Sequence, residues 1–280
     1  MHSRELYDQL LQAFTRTLPE EEKRAAIRWL LEERTGLKAA DLLTGKEIPL
    51  LPRHFEQELK RLNAGEPLQY ILGHGYFYGR RFRVSSAVLI PRPETEWIVE
   101  KVVHHAGKEF SGSLLDVGTG SGCIAITLAL ELPHANVFAT EVDAHALSVA
   151  RDNARQLHAA VNFQQHDILT EELSFPAMDI VVSNPPYIRE AERVTMDIQV
   201  TGFEPHRALF VPDDNSMIFH RVLAQKAKLI LKPGGLLCME INEALSRMTA
   251  DTVRDAGYSD VTIHQDLDGK DRYVTALATA

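Results

Sequence analysis

The stretch Val182-Ser183-Asn184-Pro185-Pro186-Tyr187 puts hydrogen-bond acceptors on one stiff turn. Consecutive prolines remove two backbone N–H donors and fix φ, so the carbonyls of the turn are left free to accept. An asparagine side-chain oxygen beside such a carbonyl makes an edge suited to a flat NH2 group, either a carboxamide or the exocyclic amine of a base. The preceding Asp179-Ile180-Val181-Val182 is too short for a helix and rich in β-branched residues, so it reads as a buried strand. Asn184 then lies at the strand's carboxyl mouth, where open α/β sheets hold ligands. Taken alone, the same residues also fit an ordinary Asn-Pro turn.

A second pattern, Asp116-Val117-Gly118-Thr119-Gly120-Ser121-Gly122, follows another short apolar run. Its glycines let the backbone turn sharply and approach a ligand ahead of a helix N-terminus. A dinucleotide fingerprint starting at Gly118 and Gly120 would need a third glycine where Cys123 stands. The spacing instead resembles the S-adenosylmethionine loop of class I methyltransferases, which makes Gly118, Thr119, Gly120, Ser121 and Gly122 the expected cofactor cradle. About 20 residues further on, Glu141 ends the next strand, placed to accept both hydroxyls of a ribose, with Asp143 a nearby alternative. Asp167-Ile168 ends a third strand, the acid suited to an adenine amine and the isoleucine to the ring face.

Beside these parts, Asn184-Pro185-Pro186-Tyr187 resembles the motif that marks methylation of a planar amino group in class I methyltransferases. Such a nitrogen is a poor nucleophile because its lone pair is delocalised. Accepting both N–H hydrogens, with the Asn184 side-chain oxygen and the Pro185 carbonyl, favours the lone pair pointing at the cofactor's methyl group, and Asn184 so placed also meets the cofactor. Pro186 stiffens the turn and Tyr187 walls the planar group by stacking. The transfer is then an in-line displacement to which the protein contributes positioning and electrostatics. No strong base is required, since the proton becomes acidic once the nitrogen is alkylated.

Positioning these residues needs a sheet. From Leu114 onward, strands are expected at Leu114–Val117, Val137–Glu141, Val161–His166, Ile180–Ser183, Leu236–Ile241, Val261–Gln265 and Tyr273–Ala278. Helices fall between them near Ile124–Glu131, Ala144–Leu157, Met217–Leu231 and Ala244–Ala256. The alternation implies an α/β fold, a Rossmann-like seven-stranded and mostly parallel sheet with helices on both faces. The one long connection, Ile188 to Asn215, has the length of a functional loop.

Ahead of the sheet, residues 1–65 read as helices only. Leu6, Leu10 and Phe14 keep helical spacing after a Ser3 cap. Pro19 and Glu20-Glu21-Glu22 open a second helix, Ile27, Leu30 and Leu31 supply its stripe, and Gly36 ends it. A short helix at Ala39–Leu43 stops at Thr44-Gly45, and another runs from Pro52 to about Asn63. Residues 66–92 are rich in aromatics and β-branched residues punctuated by glycine, from Tyr70-Ile71-Leu72-Gly73 to Val88-Leu89-Ile90, which suggests a β-hairpin linker. Glu94-Thr95-Glu96 then begins a helix that reaches Ala106.

The chain's 280 residues have the hydrophobic share of a globular protein, 45%, and a net charge of −9. That balance argues against a duplex-binding footprint, and the cluster Arg80, Arg81, Arg83 reads as a solvated strand face. No run is apolar enough to span a bilayer, and the polar start Met1-His2-Ser3-Arg4-Glu5 is unlike a signal peptide, so a cytoplasmic protein is expected. Cys123 and Cys238 support neither a disulfide framework nor a zinc site, and the twelve histidines lack ligand spacing; no metal is expected.

Four segments together resemble the HemK-type N5-glutamine methyltransferases of peptide chain release factors. They are Leu89-Ile90-Pro91-Arg92-Pro93-Glu94-Thr95-Glu96, the glycine loop, Asn184-Pro185-Pro186-Tyr187-Ile188 and Phe203-Glu204-Pro205. The resemblance reaches from the helical N-terminal domain to the ending Asp271-Arg272-Tyr273-Val274, and its proline-arginine-proline segment is absent from general class I methyltransferases. It implies S-adenosyl-L-methionine as cofactor and the glutamine of the Gly-Gly-Gln motif in class 1 release factors as substrate. It also implies a helical substrate-recognition domain at 1–65, a hairpin linker at 66–92 and a catalytic domain at 93–280. No direct nucleic-acid or membrane binding follows from it, and a monomer is the default. The family usually has Asp where Glu141 stands, a Gly-Gly pair and a later Gly where Val211-Pro212 and Asn215 stand, and a Gly in place of Asn242. Asn tolerates the positive φ those glycines would take.

Blander readings accompany other residues. Arg92 serves either the methionine carboxylate or substrate, or a salt bridge that anchors the linker. Glu204 reads as a loop-ordering group rather than an acid catalyst, Trp29 as core, and Cys123 as a packed residue rather than a nucleophile. Two rival functions share parts of the pattern: a nucleic-acid methyltransferase acting on adenine N6 or guanine N2, and a non-catalytic cofactor-binding protein. The acid balance weighs against the first, and the intact Asn184-Pro185-Pro186-Tyr187 edge against the second.

Overall fold

The structure, a computed structural model, describes residues 2–47 and 55–280. The chain divides into two compact units, residues 1–74 with 197–203, and residues 75–196 with 204–280.

The first unit is helical: α1 (Ser3–Ala13), α2 (Glu20–Thr35), α3 (Ala39–Thr44), α4 (Phe55–Asn63) and α5 (Leu68–Leu72). Its core joins Leu6 and Leu10 of α1, Ile27, Leu30 and Leu31 of α2, Phe55 and Leu62 of α4, and Ile71 of α5. Each such side chain removed from water contributes roughly 1.5–3 kcal/mol. Arg34 on α2 fastens the helices further, donating to the buried Glu58 of α4 (2.8 Å) and to the carbonyl of Ile71 (3.2 Å). Gly36 and Gly45 end α2 and α3 in the left-handed conformation, as the stop signals require. Trp29 packs against this core.

Three expectations need correction or stand aside. Ser3 is not a cap: His2 occupies that position, and the Ser3 hydroxyl is buried, donating to the Asp41 carbonyl at 2.7 Å. Tyr70-Ile71-Leu72 belongs to helix α5 rather than to extended chain, started by Pro67 and stopped by Gly73 at φ +79°. Pro52, where the fourth helix was expected to begin, lies outside the described residues.

The next elements are β1 (His74–Phe77), β2 (Arg80–Arg83), α6 (Glu96–Ala106), β3 (Ser113–Val117), α7 (Cys123–Glu131), β4 (Asn136–Glu141), α8 (Ala144–Leu157), β5 (Val161–Gln165) and β6 (Met178–Ser183). Then come β7 (Ile188–Arg189), α9 (Ile198–Phe203), β8 (Phe210–Val211), α10 (Ile218–Ile230), β9 (Leu231–Glu240), α11 (Ser246–Asp255), β10 (Tyr258–Gln265) and β11 (Asp271–Ala278). β1 and β2 form a hairpin whose turn residues, Tyr78 and Gly79, both take positive φ, the geometry that matches strand twist.

The main sheet has seven strands in the order β10-β11-β9-β6-β3-β4-β5. All neighbours around β3 and β6 are parallel, and β11 alone runs against them. From β3 the chain winds outward through β4 to β5, then returns to lay β6 on the other side of β3. That reversal of direction opens a crevice at the carboxyl ends of the strands. Register aligns those ends: Val117 faces Thr140 and Ser183, and Glu141 faces Gln165. Apolar layers on both faces bury the sheet, one around Leu115, Val181 and Leu237, the other around Leu114, Ile180 and Leu236. Alternate residues of each strand thus point to opposite layers.

The connection from Ile188 to Asn215 is ordered in short pieces. Ile188 pairs with Phe210 and Arg189 with Val211 in parallel, while α9 between them belongs to the helical unit. There Asp197 accepts from Arg16 at 2.6 Å.

Candidate active site

A cavity of about 340 Å³ opens at the carboxyl ends of β3, β4 and β6. Its wall includes Gly118, Thr119, Gly120 and Ser121, then Glu141, Asp167 and Ile168, and then Asn184, Pro185 and Pro186. The sequence patterns read separately are thus brought to one chamber. Gly122 and Tyr187 are not part of its wall.

The glycine loop is folded by the elements around it. Gly118 and Thr119 both donate to the carbonyl of Thr140, at 2.9 and 2.8 Å, tying the loop to β4. Gly118, Gly120 and Gly122 all take positive φ. A Cβ on Gly118 or Gly120 would meet no atom within 4 Å, so both backbones stand open to the cavity they line. Gly122 acts differently. A Cβ there would meet Ile126 Cδ1 at 2.8 Å and the Ala150 backbone at 3.3 Å, so this glycine permits close packing of α7 on α8 rather than contact with a ligand. Asn153, buried on α8, clamps the loop by donating to the Ser121 carbonyl (2.8 Å) and to the Arg83 carbonyl (3.0 Å) of the hairpin. A lone helical asparagine gave no sequence signal for that task.

Asp116 lies under the loop, fully buried and off the cavity wall. Its Oδ2 accepts from the Thr119 hydroxyl (2.6 Å) and the Ala125 N–H (3.2 Å), which holds the start of α7. Burial pushes its carboxyl up to about 7 against those two donors. An unfolded Asp titrates near ~3.9. Between those values the native state binds more protons than the unfolded state, so this group's contribution to stability falls as pH rises. Asn at this position keeps an acceptor for both donors but does not titrate. Asp116→Asn is therefore expected to remove about 2–3 kcal/mol of the fall in unfolding free energy between pH 5 and 8, read by urea titration. Parallel pH curves for the two proteins would refute this account.

Glu141 is 9% exposed, with both carboxylate oxygens engaged by the loop region: Oε2 accepts from Gly120 N–H at 2.9 Å and Oε1 from Asp143 N–H at 3.0 Å. Burial pushes its carboxyl up, and these backbone donors oppose the shift. Asp143, the alternative diol acceptor, also lines the cavity but uses Oδ1 to cap α8, accepting from His145 and Ala146 N–H. Asp167 uses Oδ1 to accept from Leu169 N–H at 2.9 Å, and Ile168 and Leu169 add apolar wall.

Asn184 follows β6, whose last residue, Ser183, donates its hydroxyl to the Val117 carbonyl at 2.7 Å. The Asn184 Nδ2 donates to the Thr95 hydroxyl at 3.2 Å, which leaves Oδ1 to the cavity. Thr95 in turn donates to Glu240 Oε2 at 2.7 Å, and the Tyr187 hydroxyl donates to Glu240 Oε1 at 3.0 Å. Tyr187, expected as a stacking wall, is thus an anchor of the turn through its hydroxyl. Burial pushes the Glu240 carboxyl up, opposed first by the hydroxyls of Thr95 and Tyr187; Glu94 adds to the rise and Arg272 opposes it. The Glu240 charge, with burial, holds the Tyr187 phenol well above its ordinary value. Thr95 and Glu240 escaped the sequence reading because their contact spans 145 residues.

Of the two readings of Arg92, the structure shows the salt bridge: it pairs with the buried Glu204 at 2.5 Å, while lining the cavity. Glu204 also accepts from Ile90 N–H at 3.1 Å and so orders the approach to α6. Asn242 takes φ −74° and caps a short turn, and Asn215 is not among the described residues with positive φ, so neither substitutes for a left-handed glycine. Burial drives the Cys123 thiol up to about 12, which removes it as a nucleophile. In the basic cluster, Arg80 pairs with Glu131 and Arg83 with Asp152. Among the described residues no group of three or more His, Cys, Asp or Glu is placed to hold a metal ion, and no helix is long and apolar enough to cross a membrane.

Known proteins share this plan. The family described as Methyltransferase small domain matches residues 95–204, and that described as PrmC N-terminal domain matches residues 9–73. A methyltransferase from Pyrococcus furiosus has the same fold, with a TM-score of 0.54 at 19% identity over 73% of this chain and 91% of its own. The release factor glutamine methyltransferase of Flavobacterium psychrophilum is 38% identical over 95% of each chain. That of Bacteroides thetaiotaomicron is 41% identical over 92% of this chain and 94% of its own. With helical unit, glycine loop and Asn-Pro-Pro-Tyr turn all inside these matches, the chain belongs to the release factor glutamine methyltransferase family.

Proposed function

We propose that the protein transfers a methyl group from S-adenosylmethionine to the side-chain amide nitrogen of the glutamine in the Gly-Gly-Gln motif of class 1 peptide chain release factors. The observation that carries this reading is the Asn184 amide, tied through Nδ2 to Thr95 so that its oxygen is left to the chamber walled by the glycine loop and Glu141. When bound, S-adenosylmethionine supplies an electrophilic methyl group. The residues present fit it: Gly118 and Gly120 leave space a Cβ would fill, and a buried acid ends the neighbouring strand. Gly118, Thr119, Gly120 and Ser121 cradle it, Glu141 accepts from the ribose hydroxyls, and Asp167 and Ile168 receive the base.

At the substrate, Asn184 Oδ1 and the Pro185 carbonyl accept both hydrogens of the glutamine NH2, and Tyr187 anchors the turn that carries them through its hydroxyl on Glu240. This pair fixes the nitrogen's orientation and takes up part of the positive charge that appears on it. The proton then leaves without a dedicated base. Residues 1–65 recognise the release factor, residues 66–92 link, and residues 93–280 catalyse.

The test is methyl transfer from labelled S-adenosylmethionine to a release factor and to its Gly-Gly-Gln→Gly-Gly-Ala variant, with total tRNA, rRNA and DNA alongside. Label on the factor that disappears with the Ala variant is expected. Label in nucleic acid, with none in the factor, would make the acceptor a base amine.

A further inference from the structure

An asparagine amide has two ends of nearly equal shape and opposite chemistry: the oxygen accepts, and the NH2 donates. In this site only one end is useful. Turned round, Asn184 would set its own NH2 against the NH2 of the substrate, donor against donor. The prolines that follow cannot correct it, since neither has an N–H to hold Oδ1 in place. The selection must come from the far side of the amide, where Asn184 meets Thr95.

A threonine hydroxyl both donates and accepts, so alone it would tolerate either orientation. Its ambiguity ends at Glu240. An ionised carboxylate only accepts, and Glu240 Oε2 takes the Thr95 hydrogen at 2.7 Å. The lone pairs of Thr95 are then all that face Asn184, and they require Nδ2. The other oxygen, Oε1, takes the Tyr187 hydroxyl at 3.0 Å, so one acid holds both ends of the Asn184–Tyr187 turn. Thr95 and Glu240 are 2% and 4% exposed, which keeps water from supplying an alternative donor. Glu240 is itself fixed: it is the last residue of β9, opposite Tyr273 of β11, and its carbonyl accepts from His220 Nε2 at 2.9 Å.

We propose that Glu240, acting through the Thr95 hydroxyl, is a positioning residue that sets the Asn184 amide with its oxygen toward the substrate NH2. The inference rests on the amide-methylation reading for its consequence in turnover, and on the hydrogen-bond chain for its geometry. Glu240→Gln breaks the chain with little change in shape. The two hydroxyls donate to different oxygens of Glu240, and a glutamine keeps only one of those two acceptor positions, presenting an NH2 at the other. Where its NH2 meets Thr95, the threonine hydrogen turns to Asn184 and favours the reversed amide. Thr95→Val removes the relay at constant size, and Thr95→Ser keeps it.

The experiment uses the full chain with a release factor, measuring kcat, KM and the affinity for S-adenosylhomocysteine, with thermal unfolding as a check on folding. Glu240→Gln and Thr95→Val are expected to lower kcat by roughly 10²-fold, the scale of losing one preorganised polar group. KM and S-adenosylhomocysteine affinity should stay within about threefold, since the lost interaction acts on the transition state. Thr95→Ser should restore kcat to within about threefold of the parent. Parental kcat in Glu240→Gln and Thr95→Val, or a Thr95→Ser variant as slow as Thr95→Val, would overturn the proposal. A parent that fails to methylate the factor would instead count against the substrate assignment. The orientation is then read by NMR on asparagine-labelled protein: a contact between the Asn184 side-chain NH2 and Thr95, lost in Glu240→Gln, supports the proposal. Its absence in the parent refutes it.

Discussion

Replacing Asn184 by alanine is expected to lower kcat by about 10³-fold or more while changing the affinity for S-adenosylhomocysteine by less than about twofold. The split follows from where the side chain is held. Its Nδ2 is used by Thr95, so what the cavity receives is Oδ1, the acceptor assigned to the substrate NH2. Without it, one N–H of the glutamine amide is unheld. The nitrogen then rotates away from the line of displacement, and the charge appearing on it loses its nearest counterweight. The glycine loop and Glu141 are untouched by the change, because their hydrogen bonds run to Asp116, Thr140, Asp143, Asn153 and one another. Single-turnover rates with a release factor and calorimetric titration with S-adenosylhomocysteine separate the two effects. A parallel collapse of cofactor binding would mean that Asn184 supports the cofactor rather than the substrate.

The second large effect is expected at Glu141, with the opposite signature. Glu141→Ala should weaken S-adenosylhomocysteine binding by roughly 10²–10³-fold, and kcat at saturating cofactor should change little. A hydrogen bond to a charged group contributes about 1.5–3 kcal/mol, and two to a ribose diol therefore reach that range of affinity. The loss has a second source. Gly120 and Asp143 donate to this carboxylate across the loop, so its removal also leaves their N–H groups without a partner beside the ligand. Glu141→Gln should fall between, since it keeps one strong acceptor and loses the charge. Unchanged affinity in Glu141→Ala would move the diol site to Asp143, whose Oδ2 is not used by the α8 cap.

Most of the fold could be read from short-range pattern because the sheet is buried on both faces. Strands such as Ile180-Val181-Val182 are continuous apolar runs, and helices such as Ala144–Leu157 stop and start at their own caps. The parts of the site that sit at strand ends inherit that legibility: Gly118, Glu141, Asp167 and Asn184 each follow a recognisable run. What could not be read depends on neighbours remote in sequence. Helix α5 is five residues long, too brief for periodicity, and is fixed by Pro67, Gly73 and its burial among other helices. Ser3 resembles a cap until α3 supplies the Asp41 carbonyl. Arg92 and Glu204 meet across 112 residues, and Thr95 and Glu240 across 145, so their roles appear only once the sheet has closed that distance. Gly122 shows a subtler limit: a glycine motif does not say which glycine faces the ligand and which admits a neighbouring helix.

The order of the sheet leaves β5 and β10 as its two outer strands. An open edge is a row of unpaired peptide groups and a template for runaway strand addition between molecules. Neither edge offers a good template. β5 is five residues long and presents exposed Asn162, Gln164 and Gln165. β10 pairs with β11 through two breaks in register, between Ser259 and Thr262 and between His264 and Gln265, and Asp260 between the first pair takes φ +52°. A second chain approaching this edge would meet a strand whose hydrogen-bonding groups fall out of step twice in eight residues. An enzyme carrying a seven-stranded open sheet thereby has protection against fibrillar self-association built into its own two edge strands.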